Sequence, residues 1–218
     1  MKRSGLVHLS SMLLLSAMAG TASAEVYQVD TAHSDVTFKV RHMGIANVTG
    51  KFQRLGGSFE VDPKNIKATK GNLVIDVTSI NTGIAKRDAH LQADDFFDAA
   101  KFPEIRFVSK EVRDVNMKDS TATLIGDLTM RGVTKEIALK IKGGGIVKDG
   151  SGNERAGFTA KGKLDRFDYG IKWNSVLESG NLVVSRDVDL NLSFEGVRKL
   201  SPEAPAKAGK EAAKPAAK

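Results

Sequence analysis

The chain of 218 residues contains no cysteine. That removes disulfides, thiol catalysis and thiolate metal sites, and with them the acceptor residue of a lipid-anchored lipoprotein. Aromatic residues are also scarce, with one Trp and two Tyr. An outer-membrane barrel needs aromatic girdles and an outward apolar band, so that class is disfavoured. Long apolar runs are missing too. The nearest approach, Leu6 to Ala19, is broken by His8, Ser10, Ser11 and Ser16 and falls short of the roughly 20 residues of a spanning helix.

The surplus of positive charge is misplaced for a nucleic-acid binder. Of a net +7, Lys2 and Arg3 carry two and the segment from Arg198 onward carries a net four, which leaves about one for the residues between. A basic binding face needs more than that.

What is present begins with an export signal. Lys2-Arg3, the short apolar core and Ala22-Ser23-Ala24 form the three regions of a secretory signal peptide over residues 1–24. The mature chain should start at Glu25 and work in the periplasm, without a transmembrane segment. At the other end, residues 198–218 are rich in Lys, Ala and Pro and read as a disordered tail. Its expected role is solubility, with weak contact to an anionic envelope surface, about 1 kcal/mol per basic residue, as the alternative.

Residues 25–197 are long enough to bury a core, and their dominant signal is period-two alternation. Val36, Phe38 and Val40 alternate with Asp35, Thr37 and Lys39. The same pattern carries Leu73-Ile75-Val77, Ile137-Leu139-Ile141 and Val188-Leu190-Leu192-Phe194, and weaker versions run through 48–61 (bent at Gly56-Gly57), 105–112, 122–130 and 158–164. Turn residues separate these runs at 62–65, 118–120, 131–132 and 148–153. About eight strands joined mostly by short loops predict an all-β, antiparallel barrel or sandwich.

One segment departs from the rhythm. Ala89, Ala93, Phe96, Phe97 and Ala100 recur at helical spacing and Pro103 ends the pattern, which predicts a short lid-like helix over about 86–98. A second irregular stretch, Arg166 to Gly180, holds Trp173 and should close the other end or one side.

Catalytic apparatus is thin. Downstream of the signal the histidines are His33, His42 and His90, with no H-x-H or H-E-x-x-H spacing. His33-Ser34-Asp35 names the members of a triad, but on a strand Ser34 faces away from its neighbours. His33 and His42 are expected to hydrogen-bond strand ends or loops. Asp187, Asp189 and Asn191 open like a calcium loop, yet the sixth position is Leu192 and the twelfth is Arg198. Asp94 and Asp95 point in different directions on a helix, and neither glycine run precedes a helix that could cradle phosphate.

An eight-stranded barrel is just wide enough to fill itself or to hold one small ligand. At about 0.8 kcal/mol per buried methylene, a long apolar chain could be held without any polar anchor. Four blocks then carry a resemblance: Tyr27-Gln28-Val29-Asp30-Thr31-Ala32-His33-Ser34 leading into Val36-x-Phe38-x-Val40-x-His42-x-Gly44; Phe96-Phe97-Asp98-Ala99 leading into Phe102-Pro103-x-Ile105-x-Phe107; Gly126 to Lys135; and Arg166-Phe167-Asp168-Tyr169-Gly170-Ile171-x-Trp173. In this order they resemble the YceI-like proteins over nearly all of 25–196. Ser185-Arg186 stands where Gly-Asp would be typical.

The resemblance implies an extended lipocalin-like barrel whose apolar tunnel holds a polyisoprenoid, such as the tail of an isoprenoid quinone or a polyprenyl phosphate. It implies no catalysis and no cofactor beyond the bound lipid. Strand parity then assigns the lining. Phe38, Val40, Leu73, Ile75 and Phe107 come from the first half of the barrel, and Leu139, Phe158, Leu190 and Leu192 from the second. Phe96, Phe97 and Trp173 are expected near an opening. A filled core with a surface or stress-related envelope role, and a small hydrolase or metal-binding protein using His33 and His42, are the alternatives. A homodimer is left open.

Overall fold

The computed structural model describes residues 25–176, 180 and 182–198. The segment expected to be a signal peptide (1–24) and all of the expected tail beyond Arg198 lie outside the described residues. Eleven strand segments follow in order: β1 (Glu25–Val29), β2 (Asp35–His42), β3 (Ala46–Phe52), β4 (Leu55–Val61), β5 (Lys70–Asp76) and β6 (Ile80–Asn81) come before the helix α1 (Ala85–Gln92). After it come β7 (Glu104–Asn116), β8 (Thr121–Met130), β9 (Val133–Lys148), β10 (Glu154–Asp165) and β11 (Val184–Arg198).

These segments make eight rows. β1 pairs with β4 and β2 with β3, so β1–β2 and β3–β4 are each one interrupted strand. β5–β6 is the third such pair, because β5 lies on β4 and β6 on β3. Every further neighbour is antiparallel and consecutive. β11 closes the circle by pairing with β2 along most of one edge and with β1 at Gln28↔Val197 and Val29↔Gly196. The result is a closed, up-and-down antiparallel barrel with no free long edge.

The three interruptions lie side by side and form a crease across the barrel. Backbone bonds bridge it: Gln53 N–H donates to Ser79 (3.1 Å) and Asp76 N–H to Arg54 (3.0 Å). In the first row the Ser34 hydroxyl replaces a ladder bond, donating to the Glu195 carbonyl and accepting from its N–H. The sequence bend expected at Gly56-Gly57 is thus displaced to Gln53-Arg54. Gly57 serves a different purpose: at φ +147° its missing Cβ would lie 2.1 Å from the Asn72 carbonyl oxygen, so glycine permits the close β4–β5 approach.

Because the meander alternates direction, its connections sort to two ends. The turns 62–69, 117–120 and 149–153 share one end with Glu25 and Arg198. The turns 43–45 and 131–132, the α1 segment and the described residues between β10 and β11 occupy the other.

The helix is shorter than its spacing predicts. α1 stops at Gln92, with Ala93 in extended backbone, and turns continue to residue 101. Asp94, Asp95 and Asp98 follow, and Asp98 takes a positive φ of 52°. Short acidic side chains compete with helical bonds, while Phe97 N–H→Leu91 and Asp98 N–H→Ala93 hold the turn. Phe96 and Phe97 still face inward, presented by that turn. At the carboxyl end, β11 takes in Arg198, whose guanidinium pairs with Glu25 and Glu154, so the strand includes the first residue of the expected tail.

Candidate ligand-binding tunnel

Inward side chains of all eight rows surround an elongated cavity of about 360 Å³. It runs from Val184 to Phe194 along β11, about 33 Å at 3.3 Å per residue. Its volume lies at the lower end of the roughly 300–1,000 Å³ of small-molecule sites, so it is narrow for its length. The shape suits a chain.

Glycines keep this bore open. A Cβ at Gly50 would lie 2.3 Å from the Phe38 ring, and one at Gly126 would lie 2.4 Å from the Phe107 ring. Each ring can lie flat on its neighbour because nothing projects from the glycine; a larger residue would drive it into the lumen. Gly162 gives Leu139 the same room, with 2.5 Å between the would-be Cβ and the side chain.

The nine residues assigned by parity line this cavity, and so do Phe96 and Phe97 from the helix spacing and Trp173 from the irregular stretch. Parity also survives the strand irregularities, because the β7 shift between Ser109 and Glu111 falls after Phe107. The irregularity in β11 lies between Val184 and Val188, around the atypical Ser185-Arg186 pair, and spares Leu190 and Leu192.

At the termini end aromatic rings fill the bore. Tyr27 stacks on Phe59 at 5.4 Å, Phe59 meets Phe158 edge-on at 5.1 Å, and Phe158 tilts against Phe194 at 5.3 Å. The buried Tyr27 hydroxyl donates to Glu154, and burial with that bond pushes its pKa up to about 12. Outside, Arg155 contacts Asp30 (2.9 Å), Asp149 (3.0 Å) and Glu195. Hydrogen bonds from His33 and Arg155 hold the Asp30 carboxyl down at about 2.

This network bears on the alternatives involving His33. Ligand atoms of Asp30, His33 and Glu195 lie within 4.8 Å of one another, a spacing that could suit a metal ion. The Arg155 guanidinium already sits against both carboxylates, which puts a cation where the metal would go. Ser34 is committed to Glu195 and is not poised by His33. His42, at the far end of β2, joins neither group.

The α1 end is different. Trp173 tilts on Phe96 at 5.1 Å and meets the His90 ring edge-on at 5.4 Å. The Arg166–Trp173 part of that stretch therefore lies at the same end as α1, where the other end or one side was expected. Arg131 ties the two together by donating to Gly170 O (2.6 Å) and Asp94 O (2.5 Å). Beneath them Arg166 is 4 % exposed. It donates to the carbonyls of Ser185 (2.9 Å), Ile171 (2.7 Å), Trp173 (2.8 Å) and Val184 (3.1 Å). Burial lowers its pKa.

Arg166, Arg87, His42 and His90 all line the tunnel, and no Asp or Glu does. His42, expected to bond a strand end, makes no side-chain hydrogen bond among the described residues. Sequence reasoning missed Arg166 as a lining residue, because it follows the strand pattern and opens a 3-10 turn at 166–169.

Comparison with known proteins now decides the family. The model of the YceI-like domain matches residues 27–196. The chain belongs to the YceI-like family. A UPF0312 protein of Shewanella sp. (strain MR-7) is 39 % identical over 199 residues, covering 91 % of this chain and all of the relative. One from Pseudomonas syringae pv. syringae is 40 % identical over 183 residues, covering 83 % and 91 %. Among solved structures, the Campylobacter jejuni YceI protein aligns at TM-score 0.63 and 35 % identity, covering 78 % of this chain and 96 % of that one. A polyisoprenoid-binding domain from Saccharophagus degradans aligns at TM-score 0.54 and 19 % identity, covering 80 % and 98 %. That last likeness speaks for the shared fold alone.

Proposed function

We propose that this YceI-like protein is a non-catalytic periplasmic carrier or store that holds a polyisoprenoid chain, such as an isoprenoid quinone or a polyprenyl phosphate, in its barrel. The observation that carries the reading is the hollow apolar tunnel. An unrelaxed apolar void costs about 24 cal/mol per Å³, so leaving 360 Å³ empty would cost on the order of 9 kcal/mol. That is comparable to the whole ~5–15 kcal/mol stability of a domain. A core that fills itself does not retain such a space. A chain of apolar carbons recovers the loss at about 0.8 kcal/mol per methylene.

The family supports a binding protein, and the name of the Saccharophagus neighbour supports an isoprenoid ligand. Export rests on the signal pattern of residues 1–24. The experiment is mass spectrometry of the organic extract of protein purified from its native periplasm without detergent. One polyprenyl lipid or quinone per chain is expected; an empty barrel that also refuses added quinone would overturn the proposal.

A further inference from the structure

Resting on the carrier reading, we propose that the α1 end of the tunnel is an anion site, so that the preferred cargo is a long-chain lipid with a negatively charged head group. Four basic side chains face the tunnel there and no carboxylate does. Arg166 satisfies four of its five donors on main-chain carbonyls. Those bonds spread its charge without cancelling it, and a buried charge calls for a counter-charge.

The nearby acids stand outside the lining, although Asp95 bonds one of the four basic groups, His90, and the charge of Asp165 still reaches its chain neighbour Arg166. Asp165 pairs with Arg186, Asp95 with His90, and the Asp88 carboxylate accepts from Thr82. Arg87 itself bonds Thr82 rather than a carboxylate. His42 stands beside Arg166, because its strand partner Val184 supplies one of the four carbonyls. Trp173 links the same group to His90, which is exposed at the opening.

The opposite end offers only neutral polar groups. Ser58 and Asn72 line it and bond each other at 3.1 Å. The asymmetry sets an orientation, with the apolar tail toward Tyr27 and Phe59 and the head against Arg166 and His42. A phosphate or a carboxylate would meet the same guanidinium by charge-assisted hydrogen bonds. A quinone or alcohol head would gain the bond but leave the charge unpaired.

The test is a fluorescence titration of the mature chain, whose single Trp, Trp173, reports from this end. The probes are a polyprenyl monophosphate, the polyprenol of equal length, a long-chain fatty acid and the matching fatty alcohol. The phosphate should bind at least ~10-fold tighter than its alcohol, about 1.4 kcal/mol. The same preference for fatty acid over fatty alcohol, with isoprenoids bound no better, would uphold the anion site and overturn the isoprenoid assignment. Equal affinity of phosphate and alcohol would overturn the anion site and leave the carrier reading standing. Binding of none of the four would overturn the carrier reading and the anion site with it. Arg166→Gln should bring the phosphate preference close to one. Since that variant also loses carbonyl contacts, His42→Ala, which removes no side-chain hydrogen bond among the described residues, should reduce the preference several-fold; an undiminished preference in both folded variants would remove these residues from the site.

Discussion

At the termini end of the barrel, Tyr27, Phe59, Phe158 and Phe194 occupy the bore, and ion pairs among Glu25, Arg198, Glu154, Arg155, Asp30 and Glu195 brace it from outside. At the α1 end, His90 and Trp173 sit over the opening, and the charges that face inward are basic without acidic partners in the lining. One end has spent its polar groups on itself. The other bonds its basic groups mostly to carbonyls and hydroxyls and sets no carboxylate in the lining. Stability is therefore expected to concentrate at the first end and ligand handling at the second, with the apolar bore between them.

The largest effect should come from the bore itself. Leu190→Arg, or Leu139→Arg, places a charge where apolar carbons should lie; lipid content by mass spectrometry should drop to zero in a variant that remains folded by circular dichroism. Unchanged loading would mean that the ligand lies elsewhere. Next, Phe59→Ala should destabilise the closed end by about 3–5 kcal/mol in urea unfolding, whereas Phe96→Ala, on the α1 side, should change cargo release more than stability. Equal stability losses would erase the contrast between the ends.

Acid should act on the closed end specifically. Asp30 has its carboxyl lowered from 3.8 to about 2 in the folded chain. The stabilisation is complete above pH ~4 and is lost as the pH falls toward ~2, amounting to about 2 kcal/mol. The urea midpoint should fall over that range, and Asp30→Asn should flatten the fall; the same slope in both proteins would remove Asp30 as its cause. The smallest expected effect is Gly50→Ala. Its new Cβ pushes the far edge of the Phe38 ring into the lumen, so affinity for a polyprenol should weaken several-fold while stability shifts by about 1 kcal/mol. An unaltered affinity would show that this ring does not bound the ligand.

Much of this arrangement was readable from alternation. A strand carries its inward set at every second residue, so Phe38-Val40 and Leu190-Leu192 could be placed without coordinates. Helix α1 was readable as an element but not in extent, because Phe96 and Phe97 keep a helix-like spacing while standing on turns. The 122–130 run was weaker evidence. Its inward positions include Gly126, and Ile125 is apolar on the other parity, although Leu124, Leu128 and Met130 all line the tunnel. The crease was not legible, since it depends on cross-strand bonds between residues distant in sequence, such as Gln53 with Ser79. Arg166 was hidden for a related reason. Its role follows from four carbonyls that converge on it from two separate segments, and no local pattern announces that.

Glu25 and Arg198 leave the barrel side by side, joined by an ion pair, at the end opposite α1. A partner fused directly at Glu25 or Arg198, whether a fluorescent protein or a solid support, joins the barrel at the end away from the opening. A protein shortened to end at Arg198 and immobilised there would face its mouth to the solution.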